Sequence, residues 1–118
     1  MFYKIIEDYS LIISDYSVSD FRKYGSAFSL VAIIEFIDGS TLHIRDYLFL
    51  DGKRKYSYHW QTPDGKLISR WDNSPHHKDV SSFPHHRHLP KEVIKSQSRN
   101  LREVVALISK DIISKKIE

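Results

Sequence analysis

The sequence predicts an α+β domain of two layers: an antiparallel β-meander of four to five strands, an N-terminal and a C-terminal helix, and a long histidine-rich loop before the last helix. Three observations carry this. Apolar residues recur at helical spacing only near the two ends of the 118-residue chain. Alternating runs rich in β-branched and aromatic residues fill the middle. Asp-Gly pairs recur between those runs, at Asp38–Gly39, Asp51–Gly52 and Asp64–Gly65. The length and a 41% hydrophobic content match one core, and so one domain over residues 1–118.

Taken in order, Phe2, Ile5, Ile6, Tyr9 and Ile13 lie three or four apart and predict a short amphipathic helix from Phe2 to Ile13. From Asp15 to Tyr24 the pattern loosens into partial alternation, as in an edge strand with a bulge. Phe28 to Ile37 alternates two apolar sets, which predicts a central strand buried on both faces. Asp38–Gly39 then predicts a two-residue type I′ hairpin that folds strand Thr41–Leu50 back. Asp51–Gly52 leads into Lys53–Gln61, and Pro63–Asp64–Gly65 into Lys66–Asp72.

In Lys53–Gln61, Arg54, Tyr56, Tyr58 and Trp60 share one face, while Lys55, Ser57, His59 and Gln61 share the other. On the next strand Leu67, Ser69 and Trp71 oppose Ile68, Arg70 and Asp72. This end of the sheet should therefore have an aromatic face and a polar face. Periodicity then stops until about Asn100, and a loop longer than about 12–15 residues in a compact domain is usually functional or disordered. Aromatic and histidine content favours the functional reading. Asn100 and Glu103 are spaced as a capping box, and Leu101, Val104, Val105, Ile108 and Ile112 form the apolar stripe of a closing helix.

Cysteine is absent, which removes disulfides, thiolate nucleophiles and Cys-type zinc sites. The N-terminal residues lack the regions of a signal peptide, and no apolar run approaches a bilayer span, so a cytoplasmic protein without a membrane segment is expected. Net charge divides unevenly: residues 1–50 hold 4 basic and 7 acidic side chains, residues 51–118 hold 14 and 8. The basic part also carries six of the seven histidines, which makes a polyanionic partner plausible.

The dense cluster of ionisable groups runs from Arg70 and Asp72 through His76 and His77 to His85, His86, Arg87 and His88. Three readings are open to it. A divalent metal could be held by His and Asp ligands, with His86-x-His88 in extended conformation aiming two rings to one side. Metal-free cleavage of RNA needs a base for the 2′-OH, an acid for the leaving oxygen and a cation for the phosphate. His76, His77, His85, His86 and His88 offer the first two, Arg70 and Arg87 the third, and Asp72 would orient a histidine. The third reading is structural, with these side chains capping strand ends. The metal-free reading leads, with no cofactor required. His43 and His59, each alone on a strand, read as structural. Tyr56, Tyr58, Trp60 and Trp71 could stack unpaired bases, although Tyr58 and Trp71 are assigned mainly to packing.

The run Tyr56–Ser57–Tyr58–His59–Trp60–Gln61, then Asp64–Gly65–Lys66, Arg70–Trp71–Asp72–Asn73, Pro75–His76–His77 and Phe83–Pro84–His85–His86–Arg87–His88 resembles the TumE family of small prokaryotic toxins. Ser74 stands where the family has alanine, and Arg87 where it has lysine, both changes that keep size or charge. The resemblance implies the toxin of a type II toxin–antitoxin system with a cognate antitoxin, typically a small DNA-binding helix-turn-helix protein. An RNA substrate is the expectation from the residue chemistry together with the habit of such toxins. The rivals are a metal-dependent nuclease and a non-catalytic module that binds nucleic acid or protein. An exposed Asp15–Tyr24 edge would also permit a homodimer by strand pairing.

Overall fold

Each apolar-polar strand in the middle of the chain needs hydrogen-bond partners along both edges and a cover for its apolar face, and the chain meets both needs by local folding. The computed structural model describes residues 1–117, with side chains described through Lys115. Helix α1 (Phe2–Asp8) is followed by strands β1 (Ile13–Tyr24), β2 (Ala27–Phe36), β3 (Thr41–Leu48), β4 (Arg54–Gln61), β5 (Leu67–Asp72), β6 (His86–Leu89) and β7 (Glu92–Lys95), then helix α2 (Leu101–Ile117). The strands form one sheet in chain order, every neighbouring pair antiparallel.

The sheet is thus a seven-stranded meander rather than one of four to five strands. The added hairpin, β6–β7, lies inside the stretch expected to be a loop, leaving only residues 73–85 irregular between β5 and β6. Its strands have four residues each, too short and too polar to show a period.

Three further expectations are corrected. Helix α1 ends at Asp8; Ile13 instead opens β1 opposite Phe36, so its helical spacing from Tyr9 is coincidental. Strand β2 buries one face, not two. Leu30, Ala32, Ile34 and Phe36 are buried, whereas Ile33 and Ile37 are 39% and 40% exposed because, among the described residues, no second layer covers that side. At Asp38–Gly39 the turn is not type I′. Only Gly39 has positive φ, at 86°. Its N–H donates to the Phe36 carbonyl and the Phe36 N–H to the Ser40 carbonyl, which is a three-residue loop with a glycine bulge. The Asp38 carboxylate accepts from the Ser40 N–H, explaining the aspartate before the glycine. The same backbone pattern closes Phe49–Lys53 and Thr62–Lys66.

Strand β1 does form an edge, with its register shifted between Val18 and Asp20 as a bulge requires. The buried face of β2 to β5 joins Phe2 and Ile5 of α1 and the stripe Leu101, Val104, Val105, Ile108 and Ile112 of α2 in one core. Asn100 and Glu103 make the reciprocal capping box, with the Asn100 N–H donating to Glu103 and the Glu103 N–H to Asn100 at 3.0 and 2.9 Å. Arg102 of α2 pairs with Asp8 of α1 at 2.9 Å, which ties the helices together on that side. The opposite face of the sheet is left open. No helix among the described residues is long and apolar enough to cross a membrane.

Candidate active site

Strand register decides which side chains meet on the open face. Asp72 at the end of β5 lies directly opposite His86 at the start of β6, and Arg70 directly opposite His88. Because successive side chains alternate, these four residues share one side of the sheet, while Trp71 and Arg87 share the other. His77 comes from the 73–85 loop and brings its ring to 4.7 Å from that of His86 and 5.1 Å from that of His88. The His86 and His88 rings are themselves 4.8 Å apart.

Asp72 is the hub. It is 3% exposed, and its oxygens accept from nearly every side. Oδ1 lies 2.7 Å from His86 Nε2 and accepts the Ser74 N–H and hydroxyl, each at 3.0 Å. Oδ2 accepts Arg70 Nε at 3.0 Å and lies 3.4 Å from His88 Nε2. Burial opposes the charge on Asp72, but the two Ser74 hydrogen bonds, His86 and Arg70 outweigh it and hold the carboxyl below its ordinary range. A carboxylate so fully engaged fixes Arg70, Ser74 and His86 around it.

His86 is 1% exposed and doubly held, for its Nδ1 donates to the Pro84 carbonyl at 2.9 Å. Its Nε2 is 3.1 Å from His88 Nε2. One nitrogen from each of His77, His86 and His88 lies within 4.8 Å of the others, an arrangement able to hold a metal ion. His88 is partly exposed; burial pushes its pKa down, Asp72 pulls it up, and His86, His77 and Arg70 add to the lowering.

The structure therefore brings together Arg70, Asp72, His77, His86 and His88 and separates the remaining candidates. His76 is exposed. His85 turns to the helix side of the sheet, where its Nδ1 is 2.8 Å from the Tyr56 hydroxyl and its ring stacks on Tyr56. Burial, then Arg54 and His86, lowers its pKa. Arg87 also faces the helix side: its guanidinium lies 4.7 Å over the Trp71 ring, and Nε donates to Ser69 Oγ at 2.6 Å. Tyr58, Trp60 and Trp71 are core residues.

Two contributors escaped the sequence reading. Ser74 supplies two of the donors to Asp72, the same i, i+2 arrangement that Asp38 makes with Ser40, and an Asp-x-Ser spacing is its sequence signal. Asn73 extends the β4 edge, its amide accepting from the Tyr56 N–H at 3.0 Å and donating to the Arg54 carbonyl at 2.8 Å. Beside the cluster, the open face holds a cavity of about 470 Å³ lined by Arg45, Tyr47, Phe49, Lys55, Arg70 and Asp72, among others.

Searches of curated proteins and of solved structures each found no match to this chain. Residues 2–116 match the family described as Toxin TumE, and since that match spans nearly the whole chain, the protein belongs to the TumE toxin family.

Proposed function

We propose that this chain is the toxin of a toxin–antitoxin pair and that it cuts RNA, with a divalent metal ion held at the His77–His86–His88 centre. Family membership supports the toxin role and a cognate antitoxin as partner. The metal assignment is carried by one observation, the three imidazole nitrogens that converge within 4.8 Å. In-line attack on a phosphodiester needs its base and acid on opposite sides of the phosphorus, and nitrogens this close leave no gap for a phosphate between them. They do match a donor set that zinc, manganese or nickel accepts, with the Asp72 carboxylate within reach.

The surrounding residues fit that role. The bond from His86 Nδ1 to the Pro84 carbonyl leaves Nε2 as the ligand atom and fixes the ring plane. Arg70 is anchored to Asp72 through Nε alone, which leaves its terminal nitrogens for phosphate oxygens. When bound, the ion supplies charge to the phosphate and an acidified water. Elemental analysis of the purified protein tests the assignment: stoichiometric zinc, manganese or nickel is expected, lost in His88→Ala. A protein that neither carries nor takes up any of these metals excludes it.

A second reading is favoured by His86 itself. Each of its ring nitrogens faces an acceptor oxygen, Pro84 O at 2.9 Å and Asp72 Oδ1 at 2.7 Å, which satisfies a ring with two N–H donors and no ion. One of the partly exposed His77 and His88 would then exchange a proton with the substrate from one side, since the two lie too close to act across a phosphate. RNA cleavage that persists in a chelator selects this reading.

A further inference from the structure

The open face carries two cross-strand rows that run into the cluster. One is Arg45, Ser57, Asp72 and His86; the other is His43, His59, Arg70 and His88, each residue directly opposite the next. With neighbouring strands about 4.8 Å apart, each row spans about 14 Å. At the far end from the histidine centre, Tyr47 and Phe49 hold their rings near-parallel, 16° apart in plane with centroids separated by 6.4 Å. Phe49 is 48% exposed, so part of its ring is open to a ligand.

The charge of this face is one-sided. Of the cations lining the 470 Å³ cavity, only Arg70 is paired with a carboxylate among the described residues, and Arg45 and Lys55 are both exposed. The lining's one carboxylate, Asp72, is already engaged by Arg70, Ser74 and His86. A second cavity of about 270 Å³ continues along the other row past His43, His59 and Arg70. Cations set beside the exposed Phe49 ring and the half-buried Tyr47 ring, on an open sheet, suit a ligand that is both polyanionic and able to stack. Unpaired nucleotides have that chemistry. A duplex keeps its base faces stacked inside and offers phosphates, 2′-hydroxyls and groove edges, none of which can stack on a ring.

We propose that this face binds a single-stranded segment of RNA, with a base on the Tyr47–Phe49 platform, phosphates on Arg45 and Lys55, and the strand led along the two rows to the histidine centre. The inference rests on the nuclease reading for its destination but on separate residues for its binding.

The test is fluorescence anisotropy with a labelled, unstructured oligoribonucleotide in EDTA, run beside a duplex of equal length. The single strand is expected to bind more tightly than the duplex. Phe49→Ala should weaken single-strand binding about tenfold. Arg45→Gln/Lys55→Gln should lower the slope of log affinity against log salt by about 1.4, two single-strand phosphates' worth. These side chains are exposed, and circular dichroism checks that the variants fold. Unchanged affinity in both variants, or equal affinity for duplex, overturns the proposal. So does loss of antitoxin binding with RNA affinity intact, which would assign the face to the protein partner. A wild-type protein that binds RNA through these residues but cuts none, either in EDTA or with zinc, manganese or nickel returned, sinks the nuclease reading alone. Cleavage at an undiminished rate by both variants sinks the binding face alone.

Discussion

Asp72 and His86 face each other across the β5–β6 pairing with Oδ1 2.7 Å from Nε2, and both side chains are closed to solvent. Around this pair the rest of the site is arranged, because Asp72 also holds Arg70 and Ser74, and His86 sets the distance to His77 and His88. Removing one partner of a buried, hydrogen-bonded pair strands the other. Asp72→Ala is therefore expected to cost about 3 kcal/mol in urea unfolding. Asp72→Asn should recover part of that packing yet bind zinc 10- to 100-fold more weakly, a loss typical of residues that orient a ligand (~10–100-fold). A variant with unaltered stability would show that the pair is not the organising contact.

Arg87 packs over Trp71 on the helix side, away from the histidine centre. Arg87→Ala should lower stability by about 1 kcal/mol through the lost cation–π contact, with the RNA cleavage rate kept. Arg87→Lys should not fully restore stability, since a lysine loses the planar stack. Comparing unfolding midpoints with cleavage rates separates the two effects, and a selective loss of cleavage would place Arg87 in the reaction after all.

His59 lies on the open face opposite Arg70. Burial, the Arg70 charge and His43 lower its pKa from 6.5, against a weaker upward pull from Gln61. The unfolded chain thus takes up this proton first as pH falls. The stability tied to His59 is complete above 6.5 and is lost as pH drops through the folded midpoint. An NMR titration should place that midpoint below 6.5, and Arg70→Gln should move it upward. A midpoint at or above 6.5 contradicts the stated causes.

Asn100→Ala removes one half of the capping box and is expected to cost about 1 kcal/mol in thermal or urea unfolding, without effect on the site at the far face. A larger loss would mean that α2 has little stability beyond its cap.

Much of this was legible in the sequence because the informative patterns are local. Asp38–Gly39 and its two repeats placed the hairpins, although the turn type depended on Asp38 keeping negative φ. Tyr56, Tyr58 and Trp60 announced an aromatic face by alternation, which the structure buries, and Asn100 with Glu103 announced a helix start. Strands β6 and β7 left little trace. Their apolar residues are few because the open face needs none, and Leu89-Pro90-Lys91-Glu92 closes their hairpin without glycine. Ile33 and Ile37 misled in the opposite sense, since apolar alternation signals strand while only a second layer makes it buried. For the site, the crowded segment was visible but its sides were not. Whether His85 or His86 meets Asp72 depends on a one-residue choice of register, and that choice exists only once β6 is known to pair with β5.

The measurement closest to the central claim is the rate at which the purified protein cuts single-stranded RNA before chelation, after chelation, and after a divalent metal is returned. The metal-centre account predicts activity at first, abolished by EDTA and restored by zinc, manganese or nickel, with no restoration in His88→Ala. Full activity in EDTA would contradict it and pass the reaction to the histidines alone.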